Sequence, residues 1–158
     1  MIELSQNILD QIVHHAEDEY PNECCGMILG SVDNEGRQLR VRPCQNVQDI
    51  WHAKDPDEFP KTAQNGFFID PSELFTIQRE IRASKERIKL IYHSHPDAKA
   101  YFSEEDQRIA LMDGRPAYPG VDYLVISVIR GKAKEYGYHW WDEQKKKFIY
   151  ETRTIKPT

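Results

Sequence analysis

The chain has 158 residues, with 39% hydrophobic, 11% aromatic and 30% charged side chains. That is an ordinary globular composition, which excludes disorder as the main state and is large enough for one self-sufficient domain over residues 1–158. Its 21 basic and 26 acidic residues give a net charge of -5 with no long basic stripe, so nucleic acid is a poor partner.

The first ten residues are polar and acidic where a signal peptide would be basic and then apolar. The longest apolar run, around Tyr123 to Ile129, is far too short to span a bilayer. Three cysteines, two of them the adjacent Cys24 and Cys25, do not make a disulfide framework. The expectation is a cytoplasmic protein with no membrane partner.

In chain order, Ser5 can cap a helix whose apolar positions Ile8, Leu9, Ile12, Val13 and Ala16 recur at helical spacing, and Tyr20-Pro21 ends it. "CCGMILGSV" reads as a buried strand, "DNEG" as a turn, and "RQLRVRPCQNV" as the second strand of a hairpin. Residues Asn46 to Gly66 show no sustained period and form a loop longer than most connections. At Asp70-Pro71 with Glu73 a capping box opens a second helix, with Leu74, Phe75, Ile77 and Ile81 as its buried face.

"RIKLIYHSH" then reads as a strand and "SEEDQRIALM" as a third helix capped by Ser103. "DGRPAYPG" breaks the chain before "VDYLVISVI", a strand apolar enough to be buried on both faces. Arg130-Gly131 turns into "KAKEYGYHWW" and "KKFIYETRT". No internal repeat is present. A central mixed sheet with helices packed on its faces, an α/β architecture, accommodates this order.

The stretch "IYHSHPDAKAYFSEED" concentrates the chemistry. In an extended chain His93 and His95 point to the same side with α-carbons about 6.6 Å apart, so two imidazoles can converge on one zinc ion. A catalytic zinc takes three protein ligands and leaves a corner for water; Asp106 can be the third. Ser103 and Asp106 are three apart at a helix start, so hydroxyl and carboxylate look the same way. The same S-x-x-D pattern is also an acceptable helix cap without any metal. A hydrolytic metal site wants a base, and Glu23 in "PNECCG" is the candidate; an exposed loop glutamate is the plainer reading of that position.

Glu23, His93-Ser94-His95-Pro96, Ser103 and Asp106 together resemble the JAMM motif of the MPN+ metalloproteases: a glutamate, then H-S/T-H-P, then S-x-x-D after seven residues. "PNECCGMILG" is similar to the corresponding stretch of the small, stand-alone bacterial branch, and the order of elements to about residue 140 fits that domain. The resemblance implies an MPN/JAMM, cytidine-deaminase-like three-layer fold. It implies that His93, His95 and Asp106 bind one Zn2+, that Glu23 takes a proton from bound water, and that Ser103 stabilises the oxyanion. Ser94, on the other side of the strand, would support the ligands.

The implied reaction is hydrolysis of a peptide or isopeptide bond after the flexible C-terminal tail of a ubiquitin-like or sulfur-carrier protein. The short segment from Gln107 to Asp122 leaves little room for the second insertion of larger relatives. Trp51, Phe59 and Phe67 could grip a tail or simply cover the sheet edge. Cys25 reads as a small buried residue, Cys24 leaves open a metal-competing or oxidisable thiol, and Tyr101-Phe102 stands where a proline is common, altering loop stiffness more than chemistry.

Three other classes compete. A non-catalytic scaffold of the same fold has no reason to keep the whole ligand set. A zinc nucleobase deaminase needs a C-x-x-C that is absent. An amidohydrolase barrel needs more chain than this.

Overall fold

In the computed structural model of the protein, residues 1–33 and 38–157 are described. Ser5 accepts a hydrogen bond from the Ile8 amide and opens α1 (Gln6–Glu19), as its cap chemistry requires. β1 (Cys25–Ser31) and β2 (Arg40–Cys44) pair antiparallel, with Cys25 opposite Cys44. Most of the expected "DNEG" turn between them lies outside the described residues. α3 (Pro71–Ser84) starts at Asp70, whose carboxylate accepts from the Ser72 amide, and leads into β3 (Glu86–Pro96).

Two departures from the sequence reading lie in the connections. The stretch from Asn46 to Gly66 is not all loop: α2 (Gln48–Lys54) occupies its first third. The third helix, α4 (Glu104–Ala110), stops before Leu111, because Leu111–Met112 (β4) folds back on Arg115–Pro116 (β5) as a small hairpin. Asp113 and Gly114 both have positive φ, 51° and 74°, as a two-residue type I′ turn demands. Arg130 and Gly131, at 52° and 83°, make the same turn between β6 (Asp122–Ile129) and β7 (Lys132–Asp142). β8 (Lys147–Thr154) completes the chain's sheet.

The sheet has six strands in the order β2-β1-β3-β6-β7-β8, mixed because β3 and β6 run parallel and the other neighbours antiparallel. α1 covers one face, burying Ile8, Ile12 and Ala16 against Ile28, Leu90, Tyr92, Leu124 and Ile126. The other face packs Met27, Leu29, Ile91, Tyr123 and Val125 against Ile77 of α3 and Ala110 of α4. Alternation along β3 therefore sends Leu90 and Tyr92 to the α1 face and Ile91 to the opposite one. His93 and His95 continue the second series at the end of the central strand.

Gly26 has a packing reason for its identity. A β-carbon there would lie 2.3 Å from the Tyr92 hydroxyl, the same hydroxyl that meets His15 Nδ1 at 2.8 Å. The absent side chain lets the buried Tyr92 lie flat across β1.

Candidate metal centre and catalytic site

The end of β3 is fixed from both sides. Cys25 pairs with His93 from β1, while His93 and His95 pair with Val125 and Ser127 of β6. Antiparallel pairing with β1 is what brings residue 23 beside the histidines, although seventy residues separate them in sequence. Ser94, facing the other way, accepts a hydrogen bond from the Cys24 amide at 2.7 Å and donates its own amide to the Cys24 carbonyl at 3.2 Å. It clamps the residue next to Glu23 to the residue between the two histidines.

His93 Nε2 and His95 Nε2 are 3.2 Å apart, and Asp106 Oδ2 stands 3.2 Å from the first and 3.3 Å from the second. Three ligands of a tetrahedral zinc at 2.0 to 2.1 Å are separated by about 3.3 Å. The donor triangle therefore has the dimensions of three corners of such a site, and the donor types, two imidazoles and a carboxylate, suit zinc. Both histidines are buried, at 1% and 7% exposure. Burial opposes the charge on Asp106, but the two imidazoles outweigh it and hold its carboxyl far below the usual carboxylate range.

Asp106 makes the helix cap while still facing both histidines. Its Oδ2 accepts from the Ser103 amide at 3.0 Å while Ser103 Oγ accepts from the Asp106 amide at 3.0 Å, a full capping box on α4. The box uses only an acceptor lone pair of the Ser103 hydroxyl. Its O–H remains available to donate.

His95 Nδ1 lies 2.9 Å from the Lys99 carbonyl. That bond requires the proton on Nδ1 and so leaves the Nε2 lone pair facing the triangle. His93 differs: among the described residues its Nδ1 has no hydrogen-bond partner, and its ring is held by stacking on Phe67 at 4.7 Å and 29°.

Glu23 is 5% exposed, and its carboxylate lies within 4.8 Å of a ring nitrogen on each histidine. It is no exposed loop residue. Burial raises its carboxyl pKa, against the downward pull of His93 and His95. Its backbone is pinned at both ends: the amide donates to the Ala63 carbonyl at 2.7 Å and the carbonyl accepts from Asn46 Nδ2 at 2.9 Å. Asn46 is a hub that sequence reasoning missed. It also donates to the Gly66 carbonyl at 3.1 Å and accepts from the Gln48 and Phe68 amides at 3.0 and 3.1 Å. An asparagine opening a long loop was the only available signal.

The site opens into a groove of about 880 Å³. It is lined by residues 57–61 and 64–69, by Glu105, Asp106, Arg108 and Ile109 of α4, and by Ile91, Tyr101 and Tyr123. Trp51, Phe59 and Phe68 pack on one another at 5.4 to 5.8 Å, so Trp51 serves the wall and Phe67 serves His93. Tyr101 is 55% exposed with its ring 5.0 Å from that of His95; Phe102 is buried and stacks on His139 at 4.9 Å and 22°. All three cysteines are buried. Burial pushes the Cys24 thiol up to about 12 and the Cys25 thiol higher still, so neither is a thiolate near neutral pH.

The profile of a family described as prokaryotic homologs of the JAB domain matches residues 5–143. The CysO-cysteine peptidase of Mycobacterium tuberculosis is 24% identical over 121 residues, 77% of this chain and 69% of that protein. Tail tip assembly protein K of Escherichia phage N15 is 31% identical over 107 residues, 66% of this chain; the match spans only 34% of the phage protein. Among solved structures, a Desulfitobacterium hafniense protein superposes with a TM-score of 0.68 at 26% identity, covering 96% of this chain and 90% of that one. A Salinibacter ruber protein does so at 0.60 and 26%, covering 97% and 90%.

Proposed function

The chain belongs to the prokaryotic JAB-domain family, and on that premise we propose that residues 1–158 form a single zinc-dependent hydrolase domain. It cleaves a peptide or isopeptide bond after the flexible C-terminal tail of a ubiquitin-like or sulfur-carrier protein. The donor triangle of His93, His95 and Asp106, with edges of 3.2 to 3.3 Å, carries the reading. The Glu23 carboxylate lies within 4.8 Å of a ring nitrogen of each histidine, and on this reading it does proton work beside the ion.

When bound there, zinc supplies Lewis acidity and a water whose pKa falls toward about 7. Glu23 accepts the proton that water gives up, and Ser103 donates its hydroxyl hydrogen to the charge growing on the scissile carbonyl oxygen. Glu23 then hands the proton to the leaving nitrogen. The carbon–nitrogen bond breaks, water's oxygen stays on the acyl carbon, and a free amine departs.

A protein substrate with a tail suits a groove of about 880 Å³ beside the donor triangle, and the similarity to a CysO-cysteine peptidase supports a sulfur-carrier partner. No described helix is long and apolar enough to cross a membrane, and three buried free cysteines suit a reducing cytoplasm. The similarity to a phage tail tip assembly protein supports a second reading, a non-catalytic scaffold. Zinc-loaded protein and its Glu23→Gln variant, incubated with a peptide extended beyond Gly-Gly, separate the two. Hydrolysis by the first and none by the second supports the enzyme; no hydrolysis by either supports the scaffold.

A further inference from the structure

The sheet ends at β2 on one side and at β8 on the other, and the two edges are built differently. β2 is five residues long and contains Pro43, which has no amide to offer a further strand. Its arginines are committed, Arg40 in a fork on Glu86 and Arg42 in a fork on Glu80. That edge is blunted against pairing. β8 is eight residues long, reads "KFIYETRT" and contains neither proline nor glycine. Its aromatic and β-branched side chains favour pairing.

Among the described residues no strand pairs with the outer side of β8. Ile155, just past the strand, stays on the inner side, where its amide donates to the Lys134 carbonyl at 2.9 Å. Tyr150, in the middle of the strand, is 66% exposed.

The strand is complementary to itself. An antiparallel copy related by a two-fold axis at Ile149 sets Ile149 opposite Ile149, Phe148 opposite Tyr150 and Lys147 opposite Glu151, the last two pairs each occurring twice. Alternation sorts them by face. One face carries the two isoleucines between two ammonium–carboxylate pairs, and the other carries two phenylalanine–tyrosine pairs. Each is a favourable cross-strand combination. Moving the axis to Tyr150 would set Lys147 opposite Arg153 and Ile149 opposite Glu151, so the pattern selects one register. Pairing stops at Lys147, because Asp142 holds the Gln144 and Lys145 amides and Lys146 has a φ of 51°, which takes the turn off the strand line.

We propose that β8 is a homodimer interface, at which a second copy of this chain continues the six-stranded sheet across a two-fold axis at Ile149. No residue of the donor triangle lies on β8, so the proposal is independent of the metal centre.

The test uses the full chain. Sedimentation velocity from about 5 to about 500 μM should show monomer giving way to dimer, weakly, because one strand edge is a small interface. Lys147→Glu and Glu151→Lys each set like charges opposite one another at two places, and each should raise the dissociation constant about tenfold or more. The double exchange restores it. Monomer at every concentration, a dimer that neither reversal weakens, or a double exchange no better than its parents overturns the proposal.

Cross-linking reads the register directly, since the three natural thiols are buried. Ile149→Cys sets a thiol opposite its own copy, at the α-carbon separation of about 4.5 to 5.5 Å that a disulfide accepts; dissolved oxygen takes the two electrons and two protons. Thr152→Cys, on the same strand, leaves its two copies about 20 Å apart. The expected result is a covalent dimer from the first variant and none from the second. Linking of both, or of neither, overturns the proposal.

Discussion

His95 Nδ1 sits 2.9 Å from the carbonyl oxygen of Lys99, so the loop between β3 and α4 sets which nitrogen of a histidine in the donor triangle carries the proton. That loop is in turn docked on the sheet. Ser127 Oγ donates to the Ala98 carbonyl at 2.6 Å and the Ala100 amide donates to Glu135 at 3.3 Å. A β-carbon on Gly137 would stand 2.3 Å from the Ala100 carbonyl oxygen.

Gly137→Ala therefore lifts the loop and loosens the Lys99 contact. The expected result is zinc affinity lower by about tenfold or more, the scale of lost supporting contacts to a ligand. Competition with a chromogenic chelator measures it; unchanged affinity would show that the loop does not govern His95.

Ser103 combines a structural and a chemical task that substitution can separate. Ser103→Ala loses the cap, about 1 kcal/mol, and the hydroxyl donor, a factor of about 10² to 10³ in kcat. Ser103→Gly loses the donor but only a few tenths of a kcal/mol of capping, an order-of-magnitude expectation from other helices. Urea melts and kcat together check this: activity restored along with stability in the glycine variant would remove the donor role.

Asn46 spends every polar atom on the backbone around the site. Asn46→Ala leaves several of those groups unpaired, at a cost of about 2 to 3 kcal/mol in urea unfolding. Because Glu23 loses a direct backbone anchor while the histidines are reached only through Phe67 stacking on His93, kcat should fall further than zinc affinity. Equal losses in both would contradict the anchoring role.

His139 gives a pH dependence of stability. It is 2% exposed, and burial, ahead of all other causes, pushes its pKa from 6.5 down to about 4. Between those values the unfolded chain binds the proton and the folded one does not. Stability is therefore fully present above pH 6.5 and falls as pH drops to about 4, by up to about 3 kcal/mol. His139→Gln, followed by urea melts across this window, should lose that slope; slopes identical to those of the parent would place the titration elsewhere.

Much of this was legible in the sequence, for physical reasons that differ along the chain. β6 declares itself because both faces are buried, and α1 and α3 because cap chemistry precedes an apolar period. α2 did not, since Val47 at its start offers no side-chain cap and only Gln48 is buried; seven residues with one buried polar side chain have no readable period. The β4–β5 hairpin was missed although Asp113-Gly114 is a strong turn signal, because two-residue strands leave no alternation to flank it.

At the site, the convergence of His93, His95 and Asp106 was readable from their spacing together with the motif resemblance. Glu23 needed the β1–β3 register, and Phe67, Lys99 and Asn46 needed the coordinates, because stacking and backbone carbonyls leave no trace in residue type.

The account stands or falls on where a zinc ion sits. A crystal of the zinc-loaded chain, with anomalous maps at the zinc edge, should place one ion at about 2.0 to 2.1 Å from His93 Nε2, His95 Nε2 and an Asp106 oxygen. Glu23 should remain outside bonding distance. An ion bound elsewhere, an ion ligated by Glu23 in place of Asp106, or no ion at all in crystals soaked in zinc would contradict it.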